Sequence, residues 1–324
     1  MKLMINVRLE ENVVVTEGFT REHLSKVQAV SEDIDIVVPQ TAEETQAQMR
    51  DTEVVFGDFY PEMFAEARSL RWVQSIGSGI DGVLFDEFIE SDIVLTSAKG
   101  TVGIHLADHA WALILALTRG IHTALREKSW QARMPIRASS WELAGMTLGV
   151  FGLGGTGVEV ARRAQGFGMR VLALDSETVQ KPSFVEEIWP LDRFYELLEE
   201  SDIAVICLPL TPQTKGLFDA RAFSHMRSHA LLINVTRGDI IDGPSLLEAL
   251  EKGVIGGAGL DTSPGEPLPD DHPLWNMDTV VVTPHTAGGS PARVARIVDV
   301  FCDNLARYLE GRPLTGVIDK RKGY

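Results

Sequence analysis

The sequence predicts an α/β protein built from two doubly wound parallel sheets, the second inserted into the first. Three features lead there. Short apolar runs alternate with helix-like stretches, the pattern of parallel strands joined by crossover helices. A long apolar helix, read over 102–128, divides that alternation into two series. A last amphipathic stretch, 291–308, follows a Gly-Gly-Ser-Pro break and is long enough to return to the first series.

In chain order, the strands of the first series are read at 3–7, 13–15, 34–38, 54–56, 72–75 and 93–96, with helices at 20–30 and 41–50. The second helix opens on Thr41 with Glu44 three residues on, a capping box. The segment 1–7 reads as a first strand rather than a signal peptide, because Glu10 and Glu11 soon follow and no small-residue cleavage site is evident. After 102–128 comes a Trp-containing irregular connection, 130–141, and then strands at 146–151, 170–175, 203–208, 231–234, 257–260 and 279–283.

Composition narrows the function classes. The 324 residues are 44% hydrophobic, as in an ordinary globular protein. The longest apolar run, 110–117, is far short of the ~20 residues that span a bilayer. A net charge of −16 argues against nucleic acid or an anionic membrane as partner, since both need a basic patch. The acidic, Lys-poor composition fits a salt-tolerant host and biased genomic composition equally well. Two isolated cysteines, Cys207 and Cys302, make no disulfide framework, and a cytoplasmic setting is expected. No His/Cys/Asp cluster has metal-ligand spacing, so no metal is expected.

Two motifs carry chemistry. In Gly149-Val150-Phe151-Gly152-Leu153-Gly154-Gly155-Thr156-Gly157 a strand runs into G-x-G-x-x-G, a helix follows, and the next strand ends at Asp175. In that context the pattern is a dinucleotide fingerprint. Gly152 permits the tight turn, Gly154 lets a pyrophosphate approach the backbone, and Gly157 allows close helix–strand packing. Asp175 would accept from the adenine ribose hydroxyls and repel a 2′-phosphate, which favours NAD over NADP. The second motif is a pair, Glu266 and His285, each just beyond an apolar strand-like run. A carboxylate beside an imidazole fixes its tautomer and stabilises its positive charge, which makes a proton donor. His105 and His109, on the apolar long helix, read as packed or interfacial rather than as ligands.

With these motifs in place the chain resembles the D-isomer-specific 2-hydroxyacid dehydrogenases over nearly its whole length. Further matching blocks are Ser75-Ile76-Gly77-Ser78-Gly79-Ile80-Asp81, Leu106-Ala107-Asp108-His109-Ala110, Leu208-Pro209-Leu210-Thr211-Pro212-Gln213-Thr214, Asn234-Val235-Thr236-Arg237-Gly238 and Thr286-Ala287-Gly288. The resemblance implies two Rossmann-like domains: an NAD-binding domain, 102–291, inserted into a discontinuous flavodoxin-like substrate domain, 1–101 plus 292–324. It implies Arg237, Glu266 and His285 as the catalytic residues, with Arg237 gripping the carboxylate and carbonyl of a small 2-keto acid. Ser78 and Gly79 would help hold that carboxylate. Gly155, Thr156, Leu208, Pro209, Thr214, Thr236, Asp261 and Gly288 would complete the NAD(H) site, Asp261 near the nicotinamide amide and Thr236 near its ribose. A homodimer is also implied.

Departures refine the expectation. Gly155 stands where the family often has a long side chain over the pyrophosphate, and Asp108 where it usually has Glu. Gly57-Asp58-Phe59-Tyr60 puts an acid and aromatics where the phosphoglycerate branch has an Arg, and the sequence ends at Tyr324 without a regulatory extension. A small or apolar 2-keto acid, glyoxylate or hydroxypyruvate, is therefore expected over 3-phosphoglycerate. The alternative is an NAD(H)-sensing binding protein similar to the C-terminal binding protein corepressors. A formate dehydrogenase relative is disfavoured because that branch pairs its His with Gln rather than Glu.

Overall fold

A computed structural model describes residues 1–7, 18–77 and 79–324. They separate into two units, one made of Met1–Val102 with Gly289–Tyr324, the other of Gly103–Gly288.

The first unit holds five strands: β1 (Lys2–Asn6), β2 (Asp35–Val37), β3 (Val54–Gly57), β4 (Trp72–Gln74) and β5 (Val94–Thr96). All pair in parallel in the order β2-β1-β3-β4-β5, a flavodoxin-like order that reverses between β1 and β3. β1 and β3 carry the continuous apolar runs Leu3-Met4-Ile5 and Val54-Val55-Phe56 because both faces of the sheet are covered. The terminal helix, Arg293–Leu309, packs on this sheet. Phe301 stacks on Phe56 with centroids 4.2 Å apart and lies 5.3 Å from the Trp72 ring. Beside this apolar contact runs a buried polar line. Trp72 Nε1 donates to Thr96 Oγ1 at 2.7 Å, and Thr96 donates to Gln74 Oε1 at 2.7 Å. Asn304 Nδ2 reaches that same Gln74 oxygen at 3.4 Å and the Thr315 carbonyl at 3.0 Å. A buried amide has to be satisfied, so this network fixes the rotation of the helix that the apolar face alone would leave free.

The second unit holds seven strands: β6 (Thr147–Phe151), β7 (Arg170–Leu174), β8 (Glu187–Trp189), β9 (Ile203–Ile206), β10 (Leu231–Asn234), β11 (Gly257–Leu260) and β12 (Val280–Val282). They form one parallel sheet in the order β12-β11-β10-β9-β6-β7-β8, which reverses between β6 and β9. Ligands of open α/β sheets bind at the carboxyl ends of strands beside such a reversal. Both sheets match the expected fold class.

Several elements differ from expectation. The helix read over 102–128 is two helices, Gly103–Thr118 and Ile121–Glu127. Gly120 between them has φ 64°, a left-handed conformation that ends an α-helix, and a Cβ there would come within 2.7 Å of Ile136 Cγ2. The connection read as irregular contains a turn of 3-10 helix, Trp130–Ala132, and a helix, Arg133–Ser139. Ser129 caps its start by accepting from the Gln131 amide at 3.2 Å. β8 is a short edge strand with no apolar alternation to announce it. Thr41 does cap its helix, accepting from the Glu44 amide at 3.1 Å, but Glu44 reaches back to the Gln40 amide, one residue before the cap. The strand expected at 13–15 lies outside the described residues.

Candidate active site

In the second unit every loop implicated by the sequence leaves the carboxyl end of a strand, so one edge of the sheet collects them. The glycine loop follows β6. Gly152 has φ 96°, and a Cβ on it would sit 2.8 Å from the Cys207 carbonyl at the end of β9, so the loop packs directly into the reversal of the sheet. A Cβ on Gly157 would sit 2.0 Å from the Gly152 carbonyl, the close helix–strand approach expected of the motif. A Cβ on Gly154 would meet nothing within 4 Å. The helix Gly155–Ala164 then starts with no side-chain cap and no acid in its first turn. Its free amides and its dipole form an anion site, and the space beside Gly154 is open to receive a phosphate. These residues fit a dinucleotide. Asp175, just past β7, accepts from the Leu153 amide at 2.7 Å and the Glu177 amide at 2.9 Å, so it holds the glycine loop against the end of β7.

The start of helix Gly103–Thr118 closes on the same loop. A Cβ on Gly103 would lie 2.5 Å from the Gly155 carbonyl, and Arg163 Nε donates to Asp108 at 2.9 Å. Asp108, one methylene shorter than the Glu usual there, is a structural partner of the helix that follows the glycine motif. Across the reversal, Thr214 Oγ1 donates to the Pro209 carbonyl at 2.6 Å and Thr211 N donates to Thr214 Oγ1 at 2.8 Å, which folds 208–214 into a compact loop after β9. Burial pushes the Cys207 thiol up to about 12, so it stays protonated and unreactive.

The three expected catalytic residues come from the ends of β10, β11 and β12. Asn234, the fully buried last residue of β10, accepts from the Thr236 amide and hydroxyl, both at 3.1 Å, and donates to the Arg237 carbonyl at 2.8 Å. That Asx-type turn aims 235–237 away from the sheet. Arg237 donates to the Thr236 carbonyl at 2.9 Å. Its neighbour Gly238 has to be glycine, because a Cβ would lie 1.8 Å from the Ser263 carbonyl. The Arg237 turn and the Glu266 turn therefore pack backbone to backbone. Asp239 adds a tie, accepting from the Gly265 amide at 3.3 Å. Glu266 accepts from the Ser263 amide through one oxygen at 2.7 Å and meets His285 Nδ1 with the other at 2.8 Å. His285 Nε2 is left as the atom to carry a transferable proton.

His285 has φ 52°, a left-handed conformation that costs a residue with a Cβ some energy and persists where the surroundings impose it. Asp261 imposes it. Its carbonyl accepts from the His285 amide at 2.9 Å, its Oδ1 from the Thr286 amide at 2.8 Å, and its Oδ2 from the Ala287 amide at 2.9 Å. One residue catches three successive amides. Its side chain is 1% exposed, against 51% for His285. Thr283 also donates to Asp261 Oδ1, at 2.7 Å, and His109 lies 2.8 Å from Thr283 Oγ1. Asn234, Thr283, His109 and Asp239 thus belong to the scaffold of the site. The sequence reading took His109 as packed or interfacial and gave Asn234, Thr283 and Asp239 no role, although the spacing Asn234-x-Thr236 is an Asx-turn signal.

Among the expected substrate residues, Gly79 lies in the first unit, in the loop after β4. That loop is shaped by Ser75, whose hydroxyl accepts from the Gly77 amide at 3.1 Å. Ser78 lies outside the described residues. Gly288 closes the second unit. Among the described residues no group of three or more His, Cys, Asp or Glu could hold a metal ion, and no helix is long and apolar enough to cross a membrane.

Comparison with known proteins adds the following. Residues 111–287 match the description of the NAD binding domain of D-isomer specific 2-hydroxyacid dehydrogenases. A glyoxylate reductase of Korarchaeum cryptofilum is 37% identical over 257 residues, 77% of this chain and 76% of that one. The crystal structure of a D-isomer specific 2-hydroxyacid dehydrogenase from Xanthobacter autotrophicus, in complex with NADPH and MES, superposes with a TM-score of 0.81 at 27% identity, covering 99% of each chain. An NADPH-dependent glyoxylate/hydroxypyruvate reductase from Sinorhizobium meliloti, in complex with NADP and sulfate, gives a TM-score of 0.80 at 25% identity, covering 100% of this chain and 99% of that one.

Proposed function

The chain belongs to the D-isomer specific 2-hydroxyacid dehydrogenase family, NAD(P)-dependent oxidoreductases, and from that premise we propose that it reduces a small 2-keto acid, glyoxylate or hydroxypyruvate, to the D-2-hydroxy acid. The observation that carries the proposal is the 2.8 Å contact between Glu266 and His285 Nδ1, on a turn packed against the one that bears Arg237. NADH, when bound along the glycine loop, supplies the hydride. Arg237 holds the substrate carboxylate and carbonyl. His285 delivers the Nε2 proton to the oxygen at C2 as hydride arrives at that carbon, so a C–H and an O–H bond form while the carbonyl π bond breaks. Glu266 stabilises the imidazolium before transfer and keeps the neutral ring in one tautomer after it. In the oxidative direction His285 takes the proton back.

For the dinucleotide we assign Gly152, Gly154, Gly155, Thr156 and Gly157 to the pyrophosphate and Leu208, Pro209 and Thr214 to the opposite side of the cleft beside the sheet reversal. Thr236, Asp261 and Gly288 serve the nicotinamide end, where the buried Asp261 acts chiefly through the loop it holds. Asp175 favours NADH over NADPH, because its carboxylate would face a 2′-phosphate. Asp58, past the end of β3, likewise opposes a phosphate-bearing substrate. Tyr60 beside it has its phenol pushed up by burial and by the Asp58 carboxylate. We also assign a homodimer, formed over the exposed apolar segment 121–136.

The test is oxidation of NADH against a panel of 2-keto acids, repeated with NADPH and with His285→Ala. We expect turnover of glyoxylate or hydroxypyruvate, preference for NADH, and a loss of ~10²–10⁴ in rate for the variant, as for a lost general acid. Failure to reduce any 2-keto acid overturns the reaction, near-normal rates for His285→Ala its proton donor, and equal or better use of NADPH the role of Asp175.

A further inference from the structure

We infer that His109 is a positioning residue for His285, acting across two strand ends through Thr283 and Asp261; the inference rests on His285 being the proton donor. His109 sits on the helix Gly103–Thr118, a largely apolar element, with 23% of its side chain exposed. Its Nε2 lies 2.8 Å from Thr283 Oγ1 and 3.3 Å from Asp261 Oδ1. A threonine hydroxyl carries one hydrogen, and here it is donated to Asp261 at 2.7 Å. Toward His109 that hydroxyl can only accept, so Nε2 carries a hydrogen and the line has one direction: His109 to Thr283 to Asp261.

Asp261 is the residue whose carbonyl and two carboxylate oxygens hold the amides of 285, 286 and 287. Oδ1 has more than one task, since it receives both the Thr283 hydroxyl and the Thr286 amide. The carboxylate keeps the plane that serves both amides only while Thr283 is held in its rotamer, and His109 holds it there. Without a donor at 109, Thr283 is free to turn its hydroxyl, Asp261 rotates, and the loop relaxes from the left-handed conformation at His285 that aims the ring. Misplacement of a proton donor by a fraction of an ångström slows the chemical step more than it weakens substrate binding.

The experiment compares the full-length protein with His109→Leu, His109→Gln, Thr283→Val and the Leu/Val double variant, using the best 2-keto acid of the panel with NADH, alongside His285→Ala and thermal melts. Glutamine places an amide donor where imidazole Nε2 stood and should restore the line. We expect His109→Leu to lower kcat about tenfold with KM for the keto acid within about twofold of wild type. His109→Gln should recover most of that loss, and the double variant should be no slower than its slower parent. A kcat for His109→Leu within about twofold of wild type, or a His109→Gln as slow as His109→Leu, overturns the inference. Thr283→Val, which keeps the shape and removes the hydroxyl, decides the matter should His109→Leu fail to fold: normal kcat there also overturns it. Wild-type rates for His285→Ala would instead remove the proton-donor reading on which this one rests.

Discussion

At the scale of single residues, glycines separate what packing requires from what a ligand requires. Gly238 and Gly154 both border the site, and an added methyl group meets opposite surroundings at the two positions. At Gly238 it would strike the Ser263 carbonyl at 1.8 Å, and backbone cannot step aside as a side-chain tip can. Gly238→Ala should therefore push the Arg237 turn off the Glu266 turn, with an overpacking cost of ~1–3 kcal/mol and a fall in kcat/KM of at least about tenfold. At Gly154 the added methyl meets nothing within 4 Å, and φ of −75° suits alanine. Gly154→Ala should leave the melting temperature of the unliganded protein unchanged while weakening NADH, since the space it fills is the space assigned to the pyrophosphate. Calorimetric melts and fluorescence titration with NADH read the two effects separately. A Gly154→Ala protein that binds NADH normally would refute the placement of the phosphates.

At the scale of elements, the strand ends divide into a chemical edge and a structural edge. Opposite the site, Asp202 precedes β9 and staples the amino ends of three strands. Its Oδ2 accepts from the Thr147 amide at 2.8 Å, and its Oδ1 from Arg227 at 2.7 Å and His229 at 2.8 Å. Its backbone adds bonds of 3.0 Å to Thr147 and 3.1 Å from Leu231. Desolvation would raise the Asp202 carboxyl, but the Thr147 amide, His229 and Arg227 together outweigh it and hold the group below the usual carboxylate range. Because the folded value is depressed, the contribution is present above the unfolded value of about 4 and is lost as pH falls through the folded one. Asp202→Ala orphans the Thr147 amide and should cost ~1–3 kcal/mol at neutral pH. The gap from wild type should narrow below pH ~4, where the wild-type carboxyl takes up its proton. Melting curves across pH check this, and a gap independent of pH would mean that packing, not charge, is what Asp202 supplies.

The elements also show where sequence reasoning reached and where it stopped. The shape of the glycine loop and the Glu266–His285 contact were legible because they follow from neighbours in sequence and from strand-then-turn order. His109 and Thr283 were not, because their roles depend on the helix Gly103–Thr118 lying against β12, and on β11 lying beside β12, which spacing does not state. The break at Gly120 was hidden by the apolar run before it, since hydrophobic periodicity continues across a residue whose only signal is its left-handed backbone.

At the scale of the whole molecule, net charge and exposed apolar surface act against each other, and the balance bears on association. The segment 121–136 presents Leu125, Trp130 and Met134 at 67%, 85% and 60% exposure, with Ile121 at 47%. Single exposed hydrophobic residues are ordinary, but four within one segment, an exposed tryptophan among them, form the surface that the proposed dimer would cover. Two copies each carrying −16 repel at long range, so association has to draw on apolar burial at short range. These terms respond to salt in one direction: screening shortens the reach of the repulsion, to about 8 Å at physiological ionic strength, while added salt does not weaken apolar contact. Light scattering should therefore give a dimer mass at micromolar protein, with a dissociation constant that falls as sodium chloride rises from ~0.01 M to ~0.15 M. Trp130→Glu, which places a further carboxylate at the most exposed apolar position, should shift the protein toward monomer without lowering the melting temperature of the monomer. A monomeric wild type across that salt range would show that segment 121–136 is not the surface that joins two copies. A dimer that weakens with salt would show that ion pairs, not apolar burial, hold it.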